Sequence, residues 1–123
     1  MSNNPVGWFE IYVQDIGRAK SFYESVFKVQ LQDLQMPDME MHAFPMVDEA
    51  MGAPGAIVKI EGIPSGGNST RVYFSCEDCA DEESRVSDSG GSVVNEKFSI
   101  GEYGFVSLVT DPDGNMIGLH SLK

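Results

Sequence analysis

Basic residues are scarce in this chain. Eight lysines and arginines stand against 19 aspartates and glutamates, a formal net charge of −11 over 123 residues. Nucleic acid and anionic membranes are both bound through basic patches, so neither is expected as a partner. Long apolar runs are also missing, and nothing approaches the roughly 20 residues a membrane span needs. The opening stretch MSNNPVG carries neither the basic nor the apolar region of a signal peptide. These absences together imply a cytoplasmic protein. Cysteine is limited to Cys76 and Cys79, spaced as CxxC with Glu77 and Asp78 between them. A CxxC before a helix suits a redox pair, but two carboxylates between the thiols disfavour a thiolate, so two ordinary, partly buried thiols are expected. Histidine is limited to His42 and His120.

What is present begins with WFEIYVQDIGRAKSFYESVF, residues 8–27. Its first six residues are rich in aromatic and β-branched side chains and read as a strand. Phe9, Ile11 and Val13 share one face of it, and Trp8, Glu10 and Tyr12 the other. Asp15 can cap a helix start. Beyond it, Ala19, Phe22, Tyr23, Val26 and Phe27 form a one-face apolar stripe at helical spacing. That stripe should pack on Phe9, Ile11 and Val13 and leave the Trp8 face to meet something else.

Farther along, strands are expected over 29–34, 39–46 and 55–60, with a loop over 46–55. Five of the seven methionines fall between Met36 and Met51, as core filling or as a flap that adapts to a ligand. Residues 61–70, EGIPSGGNST, read as a linker. The pattern then repeats. A strand over 71–76 is followed by a helix opened by Asp78, with Asp81, Glu82 and Glu83 suited to the dipole of its first turn. Gly90 and Gly91 close that helix. Strands follow over 92–98, 103–110 and 116–121, the last two joined by the turn DPDGN at 111–115. Asp15 and Asp78 hold equivalent places 63 residues apart. The expectation is a single domain over 1–123, with module one at about 5–61, a linker at about 62–69 and module two at about 70–123.

This twofold βαβββ pattern resembles the vicinal oxygen chelate superfamily. The resemblance rests on Asp15, Arg18-Ala19 and Phe22-Tyr23 in the first helix and on DPDGN with Gly118-Leu119 at the end. That superfamily includes glyoxalase I, extradiol dioxygenases, fosfomycin-resistance enzymes and bleomycin-resistance proteins. It implies an α+β fold in which the two modules form an open half-barrel around a central cavity, with helices outside. In its metal-dependent members the ligands come from cavity-facing strand positions. The corresponding positions here are Trp8, Arg71 and Gly118, with Val58 or Lys59 at the remaining one. An indole only donates, a guanidinium accepts nothing and glycine has no side chain, so the usual metal site is not expected. His42, His120 and Glu10 are the residues left for a non-standard divalent metal site.

By the repeat, Trp8 and Arg71 take the two positions that would share a metal. Glu10, Tyr12, Tyr73, Ser75 and His120 have the parity to face the same cavity. Arg71 then reads either as an anchor for a carboxylate or enolate oxygen, with Trp8 as a stacking wall, or as a filler paired with Glu10. The functional expectation is a metal-free protein of the bleomycin-resistance kind that binds a small organic molecule. The alternative is a glyoxalase-like lyase, isomerase or dioxygenase with an unusual metal site, in which Glu10 or His120 acts as a base. Catalysis is not assigned. Exposed half-barrel edges need cover, which with the family habit of pairing modules implies a homodimer.

Overall fold

The computed structural model describes residues 4–67, 69–112 and 114–123. The elements run β1 (Val6–Tyr12), α1 (Ile16–Phe27), β2 (Gln32–Asp33), β3 (Glu40–Ala43) and β4 (Gly55–Lys59). Then come β5 (Thr70–Ser75), α2 (Cys79–Val86), β6 (Ser92–Ser99), β7 (Phe105–Thr110) and β8 (Met116–Ser121). This is the expected α+β class, with βαβββ written twice. The chain folds as two compact units, Phe9–Thr70 and Met1–Trp8 with Arg71–Lys123.

In the unit Phe9–Thr70 the strand order is β2-β3-β4-β1. β1 lies parallel to β4, with Phe9 opposite Gly55, Glu10 opposite Ala56, Ile11 opposite Ile57 and Tyr12 opposite Val58. β3 lies antiparallel to β4, with His42 opposite Ile57 and Ala43 opposite Ala56. Residues opposite one another share a face. One face of this sheet therefore carries Glu10, Tyr12, Ala43, Ala56 and Val58, all buried. The other carries Phe9, Ile11, Ile57 and His42. Asp15 caps α1 as expected, its carboxylate accepting from the Arg18 N–H at 3.0 Å, and Lys28 closes the helix in the left-handed region.

In the other unit the order is β5-β8-β7-β6. β8 lies parallel to β5 and antiparallel to β7, and the Pro5 carbonyl accepts from the Ser75 N–H at 2.8 Å. Asp78 caps α2, accepting from the Ala80 N–H and from Lys97 Nζ. The Lys97 ammonium, and then the Ala80 N–H, hold the Asp78 carboxyl below its usual range. The sparse apolar stripe of α2 is made good by Cys79, which is fully buried against Val109 and Leu119, with Phe74, Val86 and Ile117 packed around them.

Several expectations are corrected. The strand expected over 29–34 is only Gln32–Asp33, because Leu31 gives its N–H to the Glu24 carboxylate at 2.8 Å instead of to a strand. The strand over 39–46 stops at Ala43, ahead of Pro45. Tyr103 belongs to a 3-10 turn, Gly101–Tyr103, and β7 starts only after Gly104 at φ 106°. Of the methionines, Met41 is core, whereas Met46 and Met51 are exposed. The stripe of α1 faces Phe9 and Ile11, but no residue of that helix is buried.

Candidate functional site

The alternation of β1 and β5 sets the site residues out in two groups, one in each unit. In the unit Phe9–Thr70, Tyr12 donates its hydroxyl to Glu10 Oε1 at 2.5 Å. Residues two apart on a strand reach each other in this way only because they share a face. Both are nearly buried, and the residues opposite and beyond Glu10 on that face, Ala56 and Ala43, are small, whereas those opposite and beyond Tyr12 are Val58 and Met41. The short side chains beside Glu10 are a feature that single-strand parity did not reveal. It needs the pairing register, which joins positions far apart in the chain.

In the other unit, Arg71 and Tyr73 sit two apart on β5, and Arg71 Nη1 donates to the Tyr73 hydroxyl at 3.5 Å. Tyr73 stands opposite Gly118, and Ser75 opposite His120. The Tyr73 ring lies over Gly118 so closely that a Cβ there would meet its Cδ2 at 2.2 Å and its Cγ at 2.9 Å. Ser75 turns its hydroxyl to Gly7, where a Cβ would meet Ser75 Oγ at 2.2 Å. His120 Nε2 lies 2.7 Å from the Tyr103 carbonyl. A carbonyl only accepts, so Nε2 carries the proton and Nδ1 is the acceptor of the neutral ring. The backbone oxygen that fixes this tautomer comes from the 3-10 turn, which the sequence pattern had folded into a strand. Trp8 is half-buried and has a partner.

The residues at the positions that the resemblance assigns to a metal do not fit one. Trp8 and Arg71 offer only donors, Val58 is a buried hydrocarbon, and the space a side chain at Gly118 would enter is filled by Tyr73. The non-standard set fails as well. His42 lies with Ile57 and Ile11 on one face, and Glu10 lies with Ala56 on the other, so these two cannot share an ion. Among the described residues no group of three or more His, Cys, Asp or Glu side chains converges as a metal site.

Cys76 and Cys79 are free thiols. Burial, then the charge of Glu82, push the Cys76 thiol up to about 11, the reverse of what redox catalysis requires.

Comparison with known proteins agrees with this architecture. The family model for the Glyoxalase/Bleomycin resistance protein/Dioxygenase superfamily matches residues 6–119. Proteins named "Putative glyoxylase CFP32" from Mycobacterium bovis and Mycobacterium tuberculosis are 31% identical over 119 residues, covering 91% of this chain. The match spans 43% of the length of those relatives. Among solved structures, methylmalonyl-CoA epimerase from Mycobacterium tuberculosis matches with a TM-score of 0.72 at 13% identity, over 97% of this chain and 88% of that one. A Streptomyces coelicolor methylmalonyl-CoA epimerase variant bound to 2-nitronate-propionyl-CoA matches with a TM-score of 0.70 at 12% identity, over 98% of both chains. A Vibrio splendidus member of the superfamily matches with a TM-score of 0.65 at 20% identity, over 92% of this chain and 95% of that one. At such identities these structures attest the fold alone. The family model and the mycobacterial relatives carry more, and by them the chain belongs to the Glyoxalase/Bleomycin resistance protein/Dioxygenase superfamily.

Proposed function

We propose that this protein binds a small anionic organic molecule on the sheet face of Arg71, Tyr73 and His120, with no divalent metal. The observation that supports this best is the Tyr73 ring seated on Gly118 beside the Arg71 guanidinium. Where the family would place an acidic metal ligand, this chain has an aromatic ring and a permanent cation. A guanidinium offers a planar fork of donors matched to a carboxylate. Tyr73 adds a hydroxyl beside it, and His120 a ring whose Nδ1 accepts. Trp8 supplies the stacking wall. The ligand must compete with the partners Arg71 already has, which sets a modest affinity. Glu10 and Tyr12 keep a ligand-facing role in their own unit. No catalytic step is assigned to any of these groups.

The relatives favour a second reading, an enzyme of the glyoxalase or epimerase kind. A base on Glu10 or His120 would then move a proton next to a carbonyl. We further read the protein as a single glyoxalase-like domain, a homodimer and a cytoplasmic protein. Free thiols and a strongly acidic surface support the last of these.

A thermal-shift screen of small carboxylates and acyl-CoA thioesters tests the binding reading, with elemental analysis of the purified protein beside it. Stabilisation by a carboxylate, lost in Arg71→Met without loss of fold, is the expected result. Unchanged binding by Arg71→Met would make Arg71 structural. One equivalent of tightly held metal would overturn the metal-free reading and favour the enzyme.

A further inference from the structure

The strongest feature outside the proposed site is the apolar face of α1. The sequence builds this helix with a five-residue stripe, yet none of its residues is buried. Between the helix and the sheet lies an open groove of about 450 Å³, lined by Phe9, Ile11, Tyr23, Phe27, Phe44 and Pro45, with Val29 at its edge. The rings form one continuous surface. Tyr23 stacks on Phe27 at 6.2 Å and meets Phe22 and Phe44 edge-on at 5.0 and 5.5 Å, and Phe44 reaches Phe9 at 5.8 Å.

A loop with exposed apolar side chains begins at the wall of this groove. The loop over 45–54 leaves from one groove wall, Pro45, and returns to two others. Phe44 donates its N–H to the Gly55 carbonyl at 2.9 Å, and Phe9 donates to the Pro54 carbonyl at 3.2 Å. The loop so anchored carries Met46, Val47 at 69% exposure and Met51 fully exposed.

We propose that this groove and this loop are the two halves of one self-complementary surface, on which a second copy of the chain docks about a two-fold axis. In such a contact residue i meets j and j meets i. Each copy's Met46–Met51 loop then enters the other's groove, and flexible methionines suit an irregular one.

Area and charge both support a second copy as the occupant. Phe22, Val26, Phe27, Met46, Val47 and Met51 together expose on the order of 700 Å² of apolar side chain. That sum approaches the roughly 800 Å² per partner of a standard interface. Two chains of net charge −11 repel, so their contact must be locally balanced. The α1 segment, between Asp15 and Lys28, holds Arg18, Lys20 and Lys28, three of the eight cations in the chain, against Asp15 and Glu24. The loop holds Asp48 and Glu49, with no cation.

This surface rests on the homodimer reading and goes beyond it, and the test separates the two. Sedimentation equilibrium of the intact chain at 1–100 µM in about 0.15 M salt is compared with Phe27→Glu and Met51→Asp, each checked by circular dichroism. The expected result is a micromolar dimer that each substitution weakens at least about thirtyfold, since each change is felt twice across the axis. Because Met51 is fully exposed, its variant carries the test if Phe27→Glu does not fold. A dimer unchanged in both variants means that the copies meet elsewhere, and the surface is refuted while the homodimer stands. A monomer at 100 µM refutes both. A monomer that binds an anilinonaphthalene dye only when Phe27 is intact assigns the groove to a small apolar ligand and likewise refutes the docking.

Discussion

Replacing Gly118 with alanine adds a single methyl group where the structure has no room for it. That Cβ would stand 2.2, 2.4 and 2.9 Å from Cδ2, Cε2 and Cγ of Tyr73. Contacts this short do not persist, so one partner must move. The backbone of β8 is held between β5 and β7, which leaves the Tyr73 side chain to yield. Its Cγ is close to the main chain and cannot swing aside as a chain end would. Tyr73 is also only 8% exposed, so moving its ring opens space elsewhere and pulls its hydroxyl from Arg71. Overpacking a tight site costs about 1–3 kcal/mol, and three ring atoms in conflict place this case at about 2–3 kcal/mol. For a chain of this size that lowers Tm by about 6–12 °C. Differential scanning calorimetry measures it. Tyr73→Ala removes the obstructing ring, so in that background Gly118→Ala should cost almost nothing. The two changes should therefore couple by about 1.5–2.5 kcal/mol. A loss below about 0.5 kcal/mol for Gly118→Ala alone, or additive effects in the double variant, would refute the placement of Tyr73 over Gly118. The claim that this ring has replaced a metal ligand would fall with it.

Tyr12→Phe removes the hydroxyl that donates to the nearly buried Glu10 carboxylate, and should cost about 1.5–3 kcal/mol in urea unfolding at pH 7; a change under 0.5 kcal/mol would mean that water or other donors meet the charge equally well. Cys76 should be alkylated by iodoacetamide about a hundredfold more slowly at pH 8 than a thiol at the ordinary value of 9.0, since its own is about 11 and only the thiolate reacts. Its rate should climb tenfold per pH unit up to about pH 11. A plateau near pH 9 in the peptide-mapped rate would contradict the burial and the neighbouring Glu82 charge that raise this thiol.

The chain alone determined what depends on neighbours in sequence. The period of two in β1 placed Glu10 and Tyr12 on one face, the side-chain oxygens of Asp15 and Asp78 fixed both helix starts, and the 63-residue spacing made the two βαβββ modules legible before any coordinate. Element ends were less legible where a partner distant in sequence decides them. Leu31 could continue a strand or bond to Glu24, and only the folded helix puts that carboxylate within 2.8 Å. Cys79 likewise reads as an ordinary, partly buried thiol, and becomes the fully buried anchor of α2 only once Val109 and Leu119 close over it. The site divides in the same way. That Trp8, Arg71 and Gly118 cannot ligate a metal follows from their side-chain chemistry, which no fold alters. That Tyr73 fills the place above Gly118 and that His42 and Glu10 lie on opposite faces follow from strand register. Register joins residues far apart in the chain, so only the tertiary structure decides it.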